Sequence, residues 1–351
     1  MTAPALSRRC LVLAALAAPA AWGLPPRTLT FPRDYGSHPE LRTEWWYITG
    51  HVAAGTRGFG FQVTFFRSRV DETQGMRSAF AAKQLVFAHA AVTDLAGGRL
   101  LHDQRIARAG MGVAEASETD TRVLLRDWSL GREADGYHAR IPAGEFTLDL
   151  HFAPTQPVLL QGSAGLSRKG PDEAQASYYY SEPQLAANGR LTLRGQTFEV
   201  RGTAWLDHEW SEALLHPEAV GWDWIGMNLA DGSALTAFHL RRKSGGALWG
   251  GGSFRTADGT LRVFAPGEVV FEPVRVWKSP TSQAAYPVEW RLQTPAGRFT
   301  VKALLDDQEL DSRSSTGAIY WEGLSELLDA GGKPVGRGYL EMTGYAQPIR
   351  L

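Results

Sequence analysis

The stretch RLTLRGQTFEVRGTAWL, residues 190–206, alternates apolar and polar side chains over much of its length. Successive side chains of a β-strand point to opposite faces, so this pattern predicts strands with one buried face. The same period of two recurs in FGFQVTFFRSR (59–69), EFTLDLHFAP (145–154) and SALTAFHLRR (233–242). Turn-forming segments such as ANGR (187–190) separate these runs. No segment longer than about a dozen residues keeps a helical period, so we predict an all-β fold with short helices at most.

The chain also contains a short internal repeat. YITGHVAAG (47–55) aligns without a gap to WIGMNLADG (224–232), and each stretch follows a tryptophan-rich start. A later part echoes as well: YYSEP followed by RGTAWLDH (179–208) resembles IYWEG followed by RGYLEMTG (319–344). Self-similarity of this kind predicts two related β-domains in tandem. We place them at residues 25–215 and 216–351, because SEALLHPEAV (211–220) contains a proline and loses the alternation.

The first 24 residues have the pattern of a secretory signal peptide. Arg8 and Arg9 precede a short apolar run from Leu11 to Ala21, and small residues suited to signal peptidase follow. The run is too short to span a bilayer. Cys10, the only cysteine, lies within this segment, so the mature protein is expected to lack disulfides. We expect a periplasmic or secreted protein without a transmembrane segment.

Composition narrows the classes of partner. The 351 residues carry a formal net charge of −1, and no basic stripe suggests nucleic acid. Twelve tryptophans are many for a chain of this length. They could fill the cores of large barrels or line an aromatic cavity, and composition does not separate the two.

The stretch RGTAWLDHEWSE (201–212) is the first candidate for chemistry. On a continuous strand, Asp207 and Glu209 share one face with Trp205, whereas His208 and Trp210 share the other. A poorly solvated carboxyl beside a second carboxyl tends to keep its proton and can then act as a general acid. The structural alternative is that these carboxylates form buried hydrogen bonds or salt bridges to arginines, such as Arg42 or Arg67.

Other polar and aromatic residues are candidates for contacts with a ligand, with strand packing as the alternative. They occur in HPELRTEWWYITGHV (38–52), SYYYSEP (177–183), the 201–212 stretch and GWDW (221–224). The candidate binding residues are Glu44, Trp45, Trp46, Tyr178, Tyr179, Tyr180, Trp205, Trp210, Trp222 and Trp224.

Several familiar sites are missing from the sequence. HEWSE (208–212) begins like a zinc-binding HExxH motif but ends in Glu, and the spacing of the other histidines is not diagnostic. There is no GxSxG elbow, Walker A loop or GxGxxG fingerprint. We therefore expect no metal and no cofactor, and the sequence does not favour a serine hydrolase, an NTPase or a dinucleotide enzyme.

At four stretches the chain resembles the AttH-like and carotenoid hydratase (CrtC-like) proteins, often labelled lipocalin-like or secreted hydrolases. These stretches are RTEWWYITGHV (42–52), FAHAAVTD (87–94), YYYSEP (178–183) and GTAWLDHEWS (202–211). The resemblance covers most of the chain from about Phe31 and implies two tandem lipocalin-like antiparallel β-barrels that bind apolar molecules. The carotenoid hydratases add water to an acyclic carotenoid without a redox cofactor.

The family's Asp-His pair maps onto Asp207 and His208. The hydratase branch carries Asn after this His, whereas this chain has Glu209 and Trp210 like the AttH branch. The resemblance therefore does not specify a carotenoid substrate.

Two functions remain open from the sequence. The first is a hydro-lyase in which Asp207 protonates an alkene, an aromatic face stabilises the cation, and Glu209 or His208 activates water. The second is a periplasmic carrier for a lipid-like ligand that serves an ABC-type export system. We favour the enzyme.

Overall fold

The computed structural model describes residues 23–213 and 215–349, which form two large antiparallel β-sheets. The predicted signal peptide, except for Gly23 and Leu24, lies outside the described residues. Within these residues the only helices are the 3-10 segments Arg33–Tyr35 and Asp71–Thr73. None of the helices there is long and apolar enough to cross a membrane. The prediction of an all-β chain with two tandem lipocalin-like barrels is confirmed.

The first sheet contains thirteen strands. They are β1 (Thr43–Ala54), β2 (Arg57–Arg69), β3 (Gln84–Asp94), β4 (Arg99–Arg108), β5 (Ala114–Ala116), β6 (Arg122–Leu125), β7 (Trp128–Glu133), β8 (Gly136–Pro142), β9 (Phe146–Ala153), β10 (Leu159–Leu160), β11 (Leu166–Arg168), β12 (Ala176–Leu193) and β13 (Gln196–Ala213). Their main order is β4-β3-β2-β1-β13-β12-β9-β8-β7-β6-β5, with β10 and β11 paired to β12.

The second sheet contains ten strands. They are β14 (Ala219–Leu229), β15 (Ala234–Arg242), β16 (Ala247–Arg255), β17 (Leu261–Phe264), β18 (Val270–Lys278), β19 (Ala285–Thr294), β20 (Gly297–Ala303), β21 (Glu309–Ser312), β22 (Ala318–Leu328) and β23 (Pro334–Met342). Their order is β17-β16-β15-β14-β23-β22-β20-β19-β18, with β21 paired to β22. The boundary proposed between residues 215 and 216 lies in the connection from β13 to β14.

The strand order reproduces the internal repeat. β1 lies between β2 and β13 in the first sheet, and β14 lies between β15 and β23 in the second. Ile48 and Ile225, matched in the sequence, are both fully buried in their own barrel cores. Gly55 and Gly232, also matched, both have positive φ in the turn that follows, where a side chain would be strained. The repeat therefore corresponds to two copies of one strand arrangement.

Three apolar clusters organise the packing. One fills the first barrel around Trp46 and Trp128, and a second fills the other barrel around Trp321 and Trp290. A third joins the two sheets and consists of Tyr47, Trp205, Trp224, Ala234, Phe238, Leu240, Leu324 and Tyr339. The outer faces of β1 and β13 thus pack against the second sheet, and this contact positions the site described next.

Candidate active site

A cavity of about 360 Å³ lies between the two sheets. Strands β1 to β4, β12 and β13 supply one wall, and β14, β15, β22 and β23 supply the other. Its aromatic and aliphatic lining includes Trp45, Tyr47, Phe66, Phe87, Tyr179, Trp222, Trp224, Phe238, Leu240, Ile319 and Tyr320. A concave, mainly apolar wall with a few polar groups is typical of a site for an apolar small molecule.

The alternation along β13 decides which residues reach this cavity. Asp207 and Glu209 line it, whereas His208 points to the other face of the strand, into the first barrel. Trp210 lies with His208 in that barrel core. The strand therefore separates the two carboxyls from the imidazole.

Asp207 accepts three hydrogen bonds from side chains. Its Oδ1 accepts from Trp205 Nε1 at 2.7 Å and from Ser181 Oγ at 2.5 Å, and its Oδ2 lies 2.8 Å from the hydroxyl of Tyr179. The indole N–H can only donate, so Oδ1 is occupied by donors. A phenol can donate or accept. A proton on Asp207 is therefore best placed on Oδ2, where Tyr179 can accept it.

The acidity of Asp207 is set by opposing effects. Burial raises its pKa, the bonds from Ser181, Trp205 and Tyr179 lower it, and the nearby charge of Glu209 raises it. The result is a pKa of about 7. A carboxyl with this pKa holds a proton in a useful fraction of molecules at neutral pH, as a general acid requires.

A chain of hydrogen bonds links Asp207 to the second sheet. Ser253 Oγ on β16 donates to Gln161 Oε1 at 2.8 Å, and Gln161 Nε2 donates to Ser181 Oγ at 2.8 Å. Ser181, thus oriented, donates to Asp207. Ser181, one of the three donors that lower the pKa of Asp207, is therefore oriented through a residue of the other barrel.

Glu209 has a different environment. Its carboxylate lies 2.9 Å from Lys169 Nζ and accepts a hydrogen bond from Ser177. The same ammonium lies 4.5 Å from the ring centres of both Tyr179 and Phe238. Because the side chains of Lys169 and Glu209 are both nearly fully buried, each charge depends on the other for compensation.

Two further carboxyls, which sequence analysis did not select, line the cavity from the second sheet. Glu322 on β22 lies directly opposite Glu341 on β23. Burial and the charge of Glu341 hold the pKa of Glu322 well above its usual range. Burial raises the pKa of Glu341 to about 7, although a hydrogen bond from Trp222 Nε1 at 3.1 Å lowers it. Of this pair, Glu341 has the Trp222 donor that favours the ionised form, whereas Oε1 of Glu322 has no hydrogen-bond partner among the described residues.

Two buried polar atoms near this pair lack partners. Among the described residues, neither the hydroxyl of Tyr47 nor Oε1 of Glu322 has a hydrogen-bond partner. Both residues line the cavity. An unpartnered buried polar group is costly, so these atoms are suited to bond a water molecule or a polar group of a ligand.

The internal repeat is the signal that could have found Glu341. Tyr47 aligns with Trp224, and in the structure Tyr47 pairs with Asp207 while Trp224 pairs with Glu341. The similarity between RGTAWLDH and RGYLEMTG does not show this match. If the two segments are aligned on their Arg-Gly pairs, the alignment differs by two residues from the strand register in the structure. In the structure Gly202 corresponds to Gly336.

The predicted binding residues divide between cavity and barrel core. Trp45, Tyr179, Trp222 and Trp224 line the cavity, and Glu44 borders it but directs its carboxylate into the first barrel. Trp205 lies behind Asp207 in the cluster between the sheets. By contrast, Trp46, Tyr178, Tyr180 and Trp210 pack in the core of the first barrel and do not line the cavity.

A buried polar network inside the first barrel holds Glu44 and His208. Glu44 Oε1 lies 2.9 Å from His208 Nε2 and 2.8 Å from His38 Nδ1, and its Oε2 accepts from Arg67 Nε at 2.8 Å. Burial lowers the pKa of His208 to about 4. The predicted partner Arg67 thus binds Glu44, not Asp207. His208, the predicted catalytic imidazole, is neutral and does not reach the cavity.

Comparison with known proteins is consistent with this architecture. A sequence model described as AttH-like matches residues 23–345. A crystal structure assigned to AttH, from Nitrosomonas europaea, is 48% identical in sequence and has a TM-score of 0.86. The alignment covers 92% of this chain and 98% of that chain. The structure of kievitone hydratase from Nectria haematococca is 17% identical with a TM-score of 0.70, and the alignment covers 90% of this chain and 94% of that chain. CghA has 13% identity and TM-score 0.52, covering 88% and 89%. No curated protein matches the sequence.

Proposed function

Since the chain belongs to the AttH-like family, we propose that it is a hydratase that adds water across a carbon–carbon double bond of an apolar molecule. The observation that carries the proposal is Asp207, a buried carboxyl with a pKa of about 7 in an aromatic-lined cavity. The fold shared with kievitone hydratase, whose name states a water-adding activity, supports it.

Asp207 is the acid in this proposal. The proton on its Oδ2 moves to one alkene carbon, and the π electrons form the new C–H bond. The cation develops on the more substituted carbon, close to the rings of Trp45 and Trp224, which line the cavity. Aromatic faces stabilise cations, most strongly when water is excluded.

Glu341 is the base. A water molecule bonds to the cationic carbon, and its proton moves to the Glu341 carboxylate. The choice of Glu341 is supported by the positions of the alternatives, because His208 faces the barrel core and Glu209 is held by Lys169. Proton exchange from Glu341 back to Asp207 restores the starting state. No cofactor enters these steps.

The family is often labelled hydrolase, but a serine-dependent hydrolase is less well supported. Ser315 and His89 line the cavity, with Ser315 Oγ 2.8 Å from His89 Nε2. The hydroxyl of Ser315 donates instead to Gln104 Oε1, an acceptor fixed because Gln104 Nε2 donates to the carbonyl of Asp311. His89 therefore donates to Ser315 and cannot take its proton.

A carrier of apolar ligands is the second candidate, because the cavity wall would suit it equally. A carrier is expected to have carboxylates compensated by salt bridges. Glu209 fits that expectation through Lys169, but no cationic side chain of the described residues forms a salt bridge with Asp207. This uncompensated acid favours the enzyme.

We also propose that the protein is exported to the periplasm or secreted. The support is the sequence of residues 1–24, with its basic start and short apolar run. A functional link to an ABC-type exporter belongs to the carrier alternative. Cell fractionation with an antibody against the chain tests the location: a cytoplasmic pool alone would contradict export.

The test of activity begins with compounds that co-purify with the protein. Wild type and Asp207→Asn are purified in parallel, and bound apolar compounds are identified by mass spectrometry. Both are then incubated in ¹⁸O-labelled water with prenols, acyclic carotenoids and prenylated phenols. We expect wild type alone to yield a product heavier by one labelled water. Equal binding of one unchanged compound by both proteins, without product, would establish the carrier.

A further inference from the structure

Two histidines and a glutamate cluster on the outer surface of the first barrel, away from the cavity. His138 on β8 lies directly opposite His151 on β9, and their rings stack with centres 4.1 Å apart. Glu133, at the end of β7, places one carboxylate oxygen 3.4 Å from His138 Nδ1 and the other 3.8 Å from His151 Nδ1. One ligand atom from each residue lies within 4.8 Å of the others.

A fourth residue fixes the orientation of His138. Asp149 Oδ1 lies 2.7 Å from His138 Nε2, and its Oδ2 accepts from Arg190 at 2.9 Å. A carboxylate at Nε2 keeps a hydrogen on that nitrogen, so Nδ1, on the side of Glu133, is the nitrogen that can bind an ion. A carboxylate that holds a histidine in this way is the usual outer support of a metal ligand.

From this geometry we infer that Glu133, His138 and His151 bind a divalent first-row transition metal ion, with Zn²⁺ as the probe. Two imidazole nitrogens and one carboxylate oxygen form a donor set that Zn²⁺ accepts, with solvent in the fourth position. The ligands come from three adjacent strands, so the backbone holds them in place. His151 is half exposed, and among the described residues no side-chain hydrogen bond restrains its ring, which is free to turn toward the ion.

The buried cluster of His38, Glu44 and His208 has a similar donor set but does not favour a cation. Its Glu44 already binds the guanidinium of Arg67, and Glu44 Oε1 already bonds to His38 Nδ1 at 2.8 Å and to His208 Nε2 at 2.9 Å. A metal ion there would be close to a fixed positive charge and would displace existing hydrogen bonds. Among the described residues, no lysine or arginine forms a salt bridge with Glu133, and Arg190 binds the outer oxygen of Asp149.

The test is Zn²⁺ binding by isothermal titration calorimetry, using the protein without a histidine tag. We expect one ion per chain in wild type. His151→Ala removes a ligand, and Asp149→Asn removes the support of His138; each should weaken binding at least about tenfold. His216→Ala is the matched control, because His216 lies outside the cluster beside a single carboxylate.

Thermal unfolding supplies a second readout. Zn²⁺ should raise the midpoint of wild type and of His216→Ala, but not that of His151→Ala, because a ligand stabilises only the state that binds it. The inference is overturned if wild type binds no Zn²⁺, or if His151→Ala binds it as tightly as wild type. Equal weakening in His216→Ala would also overturn it, since binding would then be dispersed over surface histidines.

Discussion

Asp207 and Glu341 occupy equivalent positions in the two halves of the molecule. Asp207 pairs with Tyr47 on β1, and Glu341 pairs with Trp224 on β14, the residue that the internal repeat aligns with Tyr47. Both carboxyls line the cavity between the sheets, and burial raises the pKa of each to about 7. One acid and one base of similar strength thus face a common space from two copies of one strand arrangement.

The pH dependence of hydration should reflect both groups. The rate should fall above about pH 7 as Asp207 loses its proton, and below about pH 7 as Glu341 gains one. Glu341→Gln should lower the rate by about 10²-fold or more and leave only the alkaline fall. Glu326→Gln changes a carboxyl on β22 that does not line the cavity. This control should keep the fall in rate on both the acid and the alkaline side. If the rate of Glu341→Gln still falls on the acid side as it does in wild type, Glu341 is not the base.

The hydrogen bond from Ser181 should tune the acid. Ser181→Ala removes a donor to the Asp207 carboxylate, so the pKa of Asp207 should rise. The alkaline fall in rate should then move to a pH roughly one unit higher. Ser177→Ala is a matched control on the same strand, because Ser177 donates to Glu209. If both variants shift the alkaline fall in rate by the same amount, the effect is not specific to Asp207.

Asp207 should make stability depend on pH. Its pKa is about 7 in the folded protein and about 3.8 when unfolded. Between these values the unfolded chain has lost the proton that the folded chain keeps, so stability falls as pH rises from about 4 to about 7 and then levels off. The difference corresponds to roughly 4 kcal/mol.

Urea unfolding of wild type and Asp207→Asn at pH 5 and pH 8 measures this term. The variant should gain stability relative to wild type at the higher pH. Asp258→Asn changes an exposed loop carboxyl whose pKa is lowered by hydrogen bonds from Thr256 and Thr260, and it should show no such gain. A stability difference between wild type and Asp207→Asn that is the same at both pH values would rule out the raised pKa.

Lys169 should be needed for stability through Glu209. Lys169→Met leaves the Glu209 carboxylate buried without its cation, which should cost about 3–5 kcal/mol of unfolding free energy. The double variant Lys169→Met/Glu209→Gln removes both charges and should recover much of this loss. Guanidinium unfolding of wild type, the two single variants Lys169→Met and Glu209→Gln, and the double variant completes a double-mutant cycle. Additive losses would mean that the two charges do not depend on each other.

Local alternation was sufficient to predict the fold class and the two faces of β13. Side-chain direction follows from strand geometry alone, so the separation of Asp207 from His208 could be derived from the sequence. The repeat predicted two related β-domains, because its glycines and apolar positions depend on local turns and cores.

The partners of each residue could not be derived in this way. The role of base depends on Glu341, which is 134 positions from Asp207 in the chain and is brought near it only by the packing of one sheet on the other. Likewise, Trp46 and Trp210 have the same local sequence character as Trp45 and Trp224. Only the pairing of strands shows which of these rings fill a core and which line the cavity.

The chain of hydrogen bonds from Ser253 to Asp207 has a thermodynamic consequence. Contact between the barrels holds Gln161, Gln161 orients Ser181, and Ser181 stabilises the ionised form of Asp207. Linkage is reciprocal, so this chain of hydrogen bonds by itself makes proton loss favour the joined arrangement, whereas the burial of Asp207, which has the larger effect on its pKa, acts in the opposite direction. Proton release at Asp207 and the closeness of the two barrels are thus one coupled equilibrium.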